Sequence, residues 1–241
     1  MNLTVIIPTY KETDNIKILI DKLNENIKDL HIILVDDSPD DGMKEIIKKY
    51  NNLKYIYRGK KLGRGSAVLH GMKDVIKNNN FHMIIEMDAD LSHDPSELKK
   101  NLILFKKNNC DLLISSRYMH QSRIINWSFQ RKIFSFFANK LAKFLLKVPI
   151  TDYTNGYRIY SKKAVYHITQ KCGNIGDGFI ILSEILVELY YNNFKVLETD
   201  TIFKNRVRGE SSVNLKEIIN SLFGLIKIFK LKKKLEKSYF L

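Results

Sequence analysis

Short, uninterrupted apolar runs alternate with longer stretches of helical spacing over the first half of the chain. Residues 3–7, 31–35, 54–57, 83–87 and 111–115 read as buried strands, and residues 15–27, 41–50, 65–77 and 96–107 between them as helices. Strand and helix in strict alternation predict an α/β fold, a mostly parallel central sheet with helices on both faces. Ligands of such sheets bind beyond the carboxyl ends of the strands. After residue 120 the pattern changes to a long helical stretch, a Gly- and Thr-containing turn region at 151–160, a helix at 180–191, a strand near Val196 and a terminal helix. There is no Pro-, Gly- or Ser-rich linker and no internal repeat. The simplest organisation is one catalytic domain over residues 1–213, with an amphipathic segment at about 121–149, followed by a basic amphipathic helix and tail at 214–241.

Composition adds a core and a charge. At 241 residues and 44% hydrophobic content the chain can bury a large interior. Its two cysteines, Cys110 and Cys172, make neither a disulfide framework nor a zinc spacing. Net charge is +14, which invites nucleic acid, phosphorylated substrates or a membrane surface. Its distribution narrows the choice: residues 121–149 carry +6, residues 214–241 carry +5, and the rest of the chain only +3. Both basic segments are rich in Phe, Leu and Ile. On a helix, Ile133, Phe134, Phe137, Leu141, Phe144, Leu145 and Val148 fall on one side with Arg131, Lys132, Lys140, Lys143 and Lys147 flanking them. Such a helix suits an anionic membrane surface, or else turns its apolar side to the core and its lysines to water. No secretory signal precedes Pro8 and no apolar run is long enough to span a bilayer.

Candidate chemistry clusters at the predicted strand ends. Pro8-Thr9-Tyr10-Lys11-Glu12 follows the first strand, Asp36-Asp37 the second, Asp88-Ala89-Asp90 the fourth and Ser116-Arg117 the fifth. Asp88 and Asp90, one residue apart at the end of an apolar strand, need a cation, and hard oxygen ligands suit Mg²⁺ or Mn²⁺ bridging to phosphate. Capping of the next helix is already served by Asp94-Pro95. Asp36 and Asp37 could accept hydrogen bonds from a base or ribose, while Asp40, Asp41 and Gly42 form a turn. Lys60-Lys61-Leu62-Gly63-Arg64-Gly65-Ser66 sets glycines and cations at a helix start, a candidate phosphate wall without P-loop spacing.

Taken in order, Pro8-Thr9-Tyr10-x-Glu12 with Asn15-Ile16, Val35-Asp36-Asp37-x-Ser-x-Asp-x-Gly, Gly63-x-Gly65, Asp88-Ala89-Asp90-Leu-Ser-His, Ser116-Arg117-Tyr118, Asp152-x-Thr154-x-Gly156-x-Arg158 and Arg206-Val-x-Gly209-Glu210-Ser211 resemble the dolichol-phosphate mannose synthases, family 2 glycosyltransferases of GT-A (Rossmann-like) fold. The resemblance covers roughly residues 3–225. It implies transfer of mannose from GDP-mannose to a dolichyl or polyprenyl phosphate, dependent on Mg²⁺ or Mn²⁺. Pro8, Tyr10, Glu12, Val35 and Asp37 would hold the nucleoside. Asp88, Ala89 and Asp90 would line the diphosphate and metal, with Ser92 as a third metal position, and Arg206 would close over the diphosphate. Ser212 stands in the donor loop where some relatives carry Lys. Arg117, Arg131 and Ser135 would grip the acceptor phosphate, making Asp90, Arg117 and Arg131 the residues nearest the chemistry. Five of the eight arginines, Arg117, Arg131, Arg158, Arg206 and Arg208, lie in these motif segments of a chain with 32 lysines, as phosphate recognition favours.

Arg158 either braces Asp152 or touches substrate. Glu184 is a spare carboxylate that holds the sugar or the Asp152–Arg158 turn. A phosphate acceptor is already an anion at neutral pH, so orientation can replace a general base. Many relatives add membrane spans at the carboxyl end. Here peripheral attachment to the cytoplasmic face of a membrane, or a small membrane-anchoring subunit, is expected. Three other readings remain at this stage: a family 2 enzyme using UDP-glucose or UDP-N-acetylglucosamine on a lipid or polysaccharide, a nucleic-acid-binding protein, which leaves Asp88 and Asp90 unexplained, and a catalytically silent lipid or nucleotide binder, which the retained Asp88-x-Asp90 disfavours.

Overall fold

The computed structural model describes residues 2–40, 42–205 and 215–239. In chain order the elements are β1 Leu3–Thr9, α1 Thr13–Asn26, β2 Leu30–Asp36, α2 Met43–Ile47, β3 Leu53–Tyr57, α3 Arg64–Asn78, β4 Met83–Glu86, a 3-10 turn at Pro95–Glu97 and α4 Leu98–Lys107. They continue with β5 Leu112–Ser116, β6 Arg123–Ile125, α5 Phe129–Leu146, β7 Arg158–Ser161, α6 Lys162–Lys171, α7 Ile180–Tyr191, β8 Val196–Asp200, β9 Ile202–Lys204 and α8 Leu215–Tyr239. Seven strands form one sheet in the order β3-β2-β1-β4-β7-β5-β8, and β6 pairs with β9 in a small ribbon.

The strands are apolar throughout because both faces of the sheet are covered. In β1, Ile6 joins the layer beneath α3, α6 and α7, while Val5 and Ile7 join the layer beneath α1 and α4. In β2, Ile33 and Val35 likewise face one layer and Ile32 and Leu34 the other. Helix α7 is buried from Ile181 to Leu189, as expected of a helix packed on the sheet and covered in turn by α8. Gly224 permits that cover, since a Cβ there would lie 2.5 Å from Ile180.

The predicted strands and helices of the first half are present, with the helix expected at 41–50 shortened to α2. The 151–160 region contains more than a turn. Its last residues enter β7, which lies antiparallel between β4 and β5 with Glu86 opposite Arg158. Four residues flanked by turn residues carry too little periodicity to announce a strand, and pairing on both edges supplies what the local pattern lacks.

The apolar side of α5 faces outward. Phe129, Ile133, Phe134, Phe136, Phe137, Leu141 and Phe144 are exposed, Phe137 by 64% and Phe144 by 77%. Leu146 and Val148 instead enter the core. Leu222, Phe223 and Ile226 of α8 are also exposed, whereas Leu225 and Ile228 pack inward. For α5 this disposes of a core-facing apolar side with solvated lysines. Among the described residues no helix is long and apolar enough to cross a membrane.

Candidate active site

β1 pairs with β2 on one edge and β4 on the other, so the chain leaves their carboxyl ends in opposite directions and opens a crevice at that switch point. Thr9 to Glu12, Asp36-Asp37 and Met87 to Ser92 emerge there. Lys11 has a positive φ of 58° and its N–H donates to Ser38 Oγ at 2.8 Å, fixing the turn that presents Tyr10. The Lys61 ammonium lies 4.9 Å from the Tyr10 ring centre. Glu12 accepts from Asn15 Nδ2 at 2.6 Å. Pro8, Val35 and Ala89 are buried in and under the strand ends.

The two aspartates ending β2 are already engaged inside the protein. Asp36 accepts from Thr9 Oγ1, from Ser38 N and Oγ, and from Tyr55 Oη. With no exposed surface, it is a structural acid rather than a base or ribose acceptor. Asp37 Oδ1 accepts from Arg58 Nε at 2.5 Å, and its Oδ2 from the amides of Leu62 and Gly63 at 2.8 and 3.0 Å. It thereby ties the Gly63-x-Gly65 segment to the crevice.

The start of α3 is not an anion site. The amides of Gly65 and Ser66 donate to the carbonyl of Asp177 at 2.7 and 3.1 Å, which fills the place proposed for phosphate. Gly63 has a φ of 100°, and a Cβ on it would lie 2.5 Å from that same carbonyl oxygen. These glycines permit a close backbone approach, and the phosphate wall is corrected accordingly.

Arg64, between them, reaches the acids of β4. Its Nε donates to Asp88 Oδ1 at 2.8 Å, its Nη2 lies 2.6 Å from the same oxygen, and its Nη1 donates to Glu86 Oε1 at 2.5 Å. Glu86 is fully buried and accepts from Tyr160 Oη at 2.6 Å. Burial opposes the Arg64 charge, but Asp88 and Glu86 more than offset it and hold the guanidinium protonated. Asp90 Oδ1 accepts from the Ser92 amide at 3.1 Å, and the buried Ser92 hydroxyl has no hydrogen-bond partner among the described residues.

Asp88, Asp90 and Ser92 offer oxygen ligands alone, and among the described residues no group of three His, Cys, Asp or Glu side chains converges. Two carboxylates and a hydroxyl would fit a hard divalent cation, which prefers oxygen ligands and would help neutralise a phosphate-bearing donor.

On the other side of the crevice Arg117 is 8% exposed and grips Asp152. Its N and Nε donate to Oδ2 at 2.9 and 2.7 Å, and its Nη2 donates to Oδ1 at 2.7 Å and to Thr154 Oγ1 at 2.6 Å. The guanidinium lies 5.4 Å from the ring centres of both Trp127 and Phe203. Burial works against the Asp152 charge, yet the Arg117 ion pair and hydrogen bonds prevail and hold its carboxyl below the usual range. Arg117, not Arg158, braces Asp152. Arg158 donates instead to the carbonyls of Asn155, Leu182 and Tyr153.

Arg131, Ser135 and Asn139 follow one another at four-residue spacing on the inner face of α5. Arg131 lies 4.1 Å from the Trp127 ring centre and donates from Nη1 to Asn205 Oδ1 at 2.9 Å. Ser135 Oγ accepts from Tyr118 Oη at 2.6 Å, and Asn139 Oδ1 accepts from the Tyr153 amide at 2.7 Å. Beside them Tyr118, Ile124, Lys132, Ile133, Phe136 and Phe137 line a groove of about 340 Å³. Arg206 and Ser212 lie outside the described residues.

A hydrogen-bond chain joins the two sides. The Asp88 amide donates to His93 Nδ1 at 3.1 Å, leaving the neutral ring's proton on Nε2, which lies 2.9 Å from Asn155 Oδ1. The Asn155 amide donates to Asp152 Oδ1 at 3.0 Å. Residue types alone give Arg58, His93, Asn155 and Glu198 no role and place Arg64 in a phosphate wall rather than on the acids beside β4. Glu198 supports the Asp152 turn by accepting from the amides of Thr151 and Asp152 at 2.8 and 2.9 Å. The signal available for the two arginines was chemical, since rare arginines beside strand-end aspartates suggest paired charges. Glu184 serves neither sugar nor the Asp152 turn: its Oε1 accepts from the amides of Gly173 and Asn174 at 3.2 and 3.3 Å.

An α/β sheet with paired acids at its switch point and arginines across the crevice suits transfer from a phosphate-bearing donor, and the family is shown directly by comparison. The Glycosyl transferase family 2 model matches residues 4–169, and the chain belongs to that family. It is 31% identical over 91% of its length to the polyprenol monophosphomannose synthase of Mycolicibacterium smegmatis, spanning 83% of that protein. It is 34% identical over 95% of its length to the dolichol-phosphate mannosyltransferase of Pyrococcus furiosus, of which it spans 64%. Among solved structures, glucosyl-3-phosphoglycerate synthase from Mycobacterium tuberculosis, crystallised with Mn²⁺, UDP and glucosyl-3-phosphoglycerate, superposes with a TM-score of 0.67 at 14% identity, over 96% of this chain and 79% of that one. A crystal structure described as that of a mycobacterial protein superposes with a TM-score of 0.70 at 15% identity, over 95% of this chain and 75% of that one. The fold is the expected GT-A glycosyltransferase architecture, and the protein is a glycosyltransferase.

Proposed function

We propose that the enzyme transfers mannose from GDP-mannose to a dolichyl or polyprenyl phosphate with inversion, at the cytoplasmic face of a membrane. The observation that carries this reading is the two-sidedness of α5. Its inner face sets Arg131 and Ser135 beside Arg117, and its outer face exposes Phe134, Phe137 and Phe144. An acceptor with an anionic head on a hydrocarbon chain needs both. The lined groove beside Tyr118 and Phe136 would take the first isoprene units. A nucleic acid would have no use for the apolar face, and the relatives' names agree with a lipid phosphate.

On the donor side Tyr10, Glu12 and Asp37 border the nucleoside position, with Pro8, Val35 and Ala89 as the packing beneath it. Asp88, Asp90 and Ser92 would hold Mg²⁺ or Mn²⁺, which when bound neutralises charge on the leaving diphosphate. Arg117 and Arg131 orient the acceptor phosphate, whose oxygen attacks the anomeric carbon opposite the leaving group. No general base is required, because the second pKa of a phosphate monoester is about 6. Arg206 and Ser212 are assigned to the donor loop. Attachment is peripheral, through α5 and α8 or through a small anchoring subunit that covers them.

The test is a panel of radiolabelled nucleotide sugars and polyprenyl phosphates with and without chelator. Labelled lipid is expected from GDP-mannose alone and should vanish with EDTA, whereas labelling from UDP-glucose would overturn the sugar assignment. Arg131→Ala should raise KM for the lipid phosphate about tenfold or more and leave KM for the nucleotide sugar within about twofold, as loss of one charge-assisted contact implies.

A further inference from the structure

Arg64 is the unassigned residue of Gly63-x-Gly65, yet its side chain is the best-held cation at the β4 strand end. We infer that Arg64 is a resident counter-cation that makes divalent-cation binding at Asp88 and Asp90 depend on the nucleotide diphosphate. The inference rests on the reading that these two aspartates hold the cation.

Three features keep the guanidinium in place. Glu86, fully buried, would be left without its charged partner if Arg64 withdrew, a costly state for an interior carboxylate. The backbone of α3 is pinned through the Gly65 and Ser66 amides to the Asp177 carbonyl, and the Phe179 ring centre lies 5.3 Å from the guanidinium carbon. Finally, Gly156 leaves the space: a Cβ there would fall 2.0 Å from Arg64 Nη2. The glycine of Asp152-x-Thr154-x-Gly156 thus makes room for an arginine 92 positions earlier in the chain.

The electrostatic consequence follows from where the charges sit. Glu86, Asp88 and Asp90 bring three negative charges and Arg64 offsets one. It does so on Asp88 Oδ1 itself, with Oδ2 left 3.8 Å from His93 Nε2. A divalent cation arriving alone must share Asp88 with a fixed positive group, and screening in a partly buried site is weak. A nucleoside diphosphate adds negative charge on the open side and removes that penalty. Coupling of this kind is reciprocal, so the cation should tighten nucleotide binding by the same factor. Arg64 is therefore a positioning residue that discourages an idle metal site and favours joint binding of cation and donor.

Titration of Mn²⁺, followed by the electron paramagnetic resonance signal of the unbound ion with and without GDP, tests this directly. In the unaltered protein GDP should tighten Mn²⁺ binding about tenfold or more, within the usual range of such couplings. Arg64→Met should bind Mn²⁺ about tenfold tighter without GDP and lose most of the GDP effect, whereas Arg64→Lys, which keeps the charge, should retain it. Gly156→Ala is the second variant, because its Cβ, 2.0 Å from Arg64 Nη2 but only 3.3 Å from Asp88 Oδ1, displaces chiefly the guanidinium while every charge remains and Glu86 keeps a nearby partner. It should shift Mn²⁺ binding in the same direction, and it decides the matter if Arg64→Met does not fold. Unchanged or weaker Mn²⁺ binding in folded Arg64→Met, or in Gly156→Ala when the methionine variant is unusable, overturns the inference while leaving the metal reading intact. Absence of Mn²⁺ binding by the unaltered protein even with GDP overturns both.

Discussion

The two sides of the crevice use the same charges in opposite order. At the end of β4 the Asp88 carboxylate stands in front, with Arg64 behind it, and at the end of β2 Asp37 and Arg58 form an equally buried pair beside them. At the end of β5 and along α5 the arginines Arg117 and Arg131 stand in front, and Asp152 and Asn205 hold them. A cation with a diphosphate needs the first order, and an anionic head group needs the second. In a chain with 32 lysines and 8 arginines, Arg58, Arg64 and Arg117 stand where a planar fork fixes a carboxylate's direction as well as its charge, which an ammonium does poorly. Lysines lie mostly on the outer surface and the flanks of α5, with Lys232 of α8 a buried exception paired with Glu236.

If that mirror arrangement is right, removing a rear partner should cost stability and removing a front group should cost activity. The largest effect is expected for Asp152→Ala, which strands the buried Arg117. Its cost should be about 3–5 kcal/mol, measured by urea unfolding. Asp152→Asn keeps one acceptor oxygen, which can still serve Arg117 Nη2 and the backbone N–H groups of Thr154 and Asn155, and it should lose less even though its amide nitrogen then faces the Arg117 N and Nε donors. The pair also has a pH signature. Because the folded Asp152 carboxyl titrates below its ordinary 3.8, its stabilisation is complete above that value and disappears as pH falls from 3.8 toward the lower folded value. Asp152→Asn should therefore flatten the acid limb of stability in that window, and an unaltered limb would show that Arg117 does not depend on the charge.

Asp90→Asn probes a front group. Transfer should fall about 10²–10³-fold, the usual loss when charge stabilisation of a transition state is removed, about 2.7–4 kcal/mol. The urea midpoint should stay close to that of the unaltered protein, because the amide that Asp90 holds belongs to Ser92 in its own loop and Asn keeps an acceptor oxygen for it. Full activity would remove Asp90 from the metal set.

Much of this contrast could be read in the residues before any coordinates. The strand ends followed from apolar runs ending in Asp-Asp, Asp-x-Asp and Ser-Arg, and both strand–helix alternation and the Asp94-Pro95 cap appear where expected. What the pattern hid was pairing across long sequence separations. Arg64 and Asp88 are 24 positions apart, Arg117 and Asp152 are 35, and His93 and Asn155 are 62. Periodicity reports which face a residue occupies, not which residue meets it across a sheet. Arg158 was misjudged for the same reason. Its neighbour in sequence is Asp152, but the antiparallel β7 turns it toward the carbonyl of Leu182, and the aspartate is left to an arginine from another strand.

The smallest expected effect on the fold is at the outer face of α5, and it sharpens the comparison most, because here the acceptor side has a feature that the donor side lacks. Phe134, Phe137 and Phe144 are exposed by 54%, 64% and 77%. Replacing each with Ser removes apolar surface that the fold does not bury, so unfolding free energy should change by about 0.5 kcal/mol or less per site. Leu146→Ala, two positions beyond Phe144 but fully buried, should cost about 2–5 kcal/mol. Sedimentation with anionic phospholipid vesicles should reverse the ranking. Inserting one Phe side chain into an apolar phase gains about 1.5–3 kcal/mol, so each serine should weaken vesicle binding about tenfold or more, while Leu146→Ala should leave it near that of the unaltered protein. KM for a lipid acceptor presented in vesicles should rise in step with lost binding, and KM for a short, water-soluble prenyl phosphate should not. A triple serine variant that sediments normally would separate α5 from the membrane and leave its phenylalanines to a protein subunit.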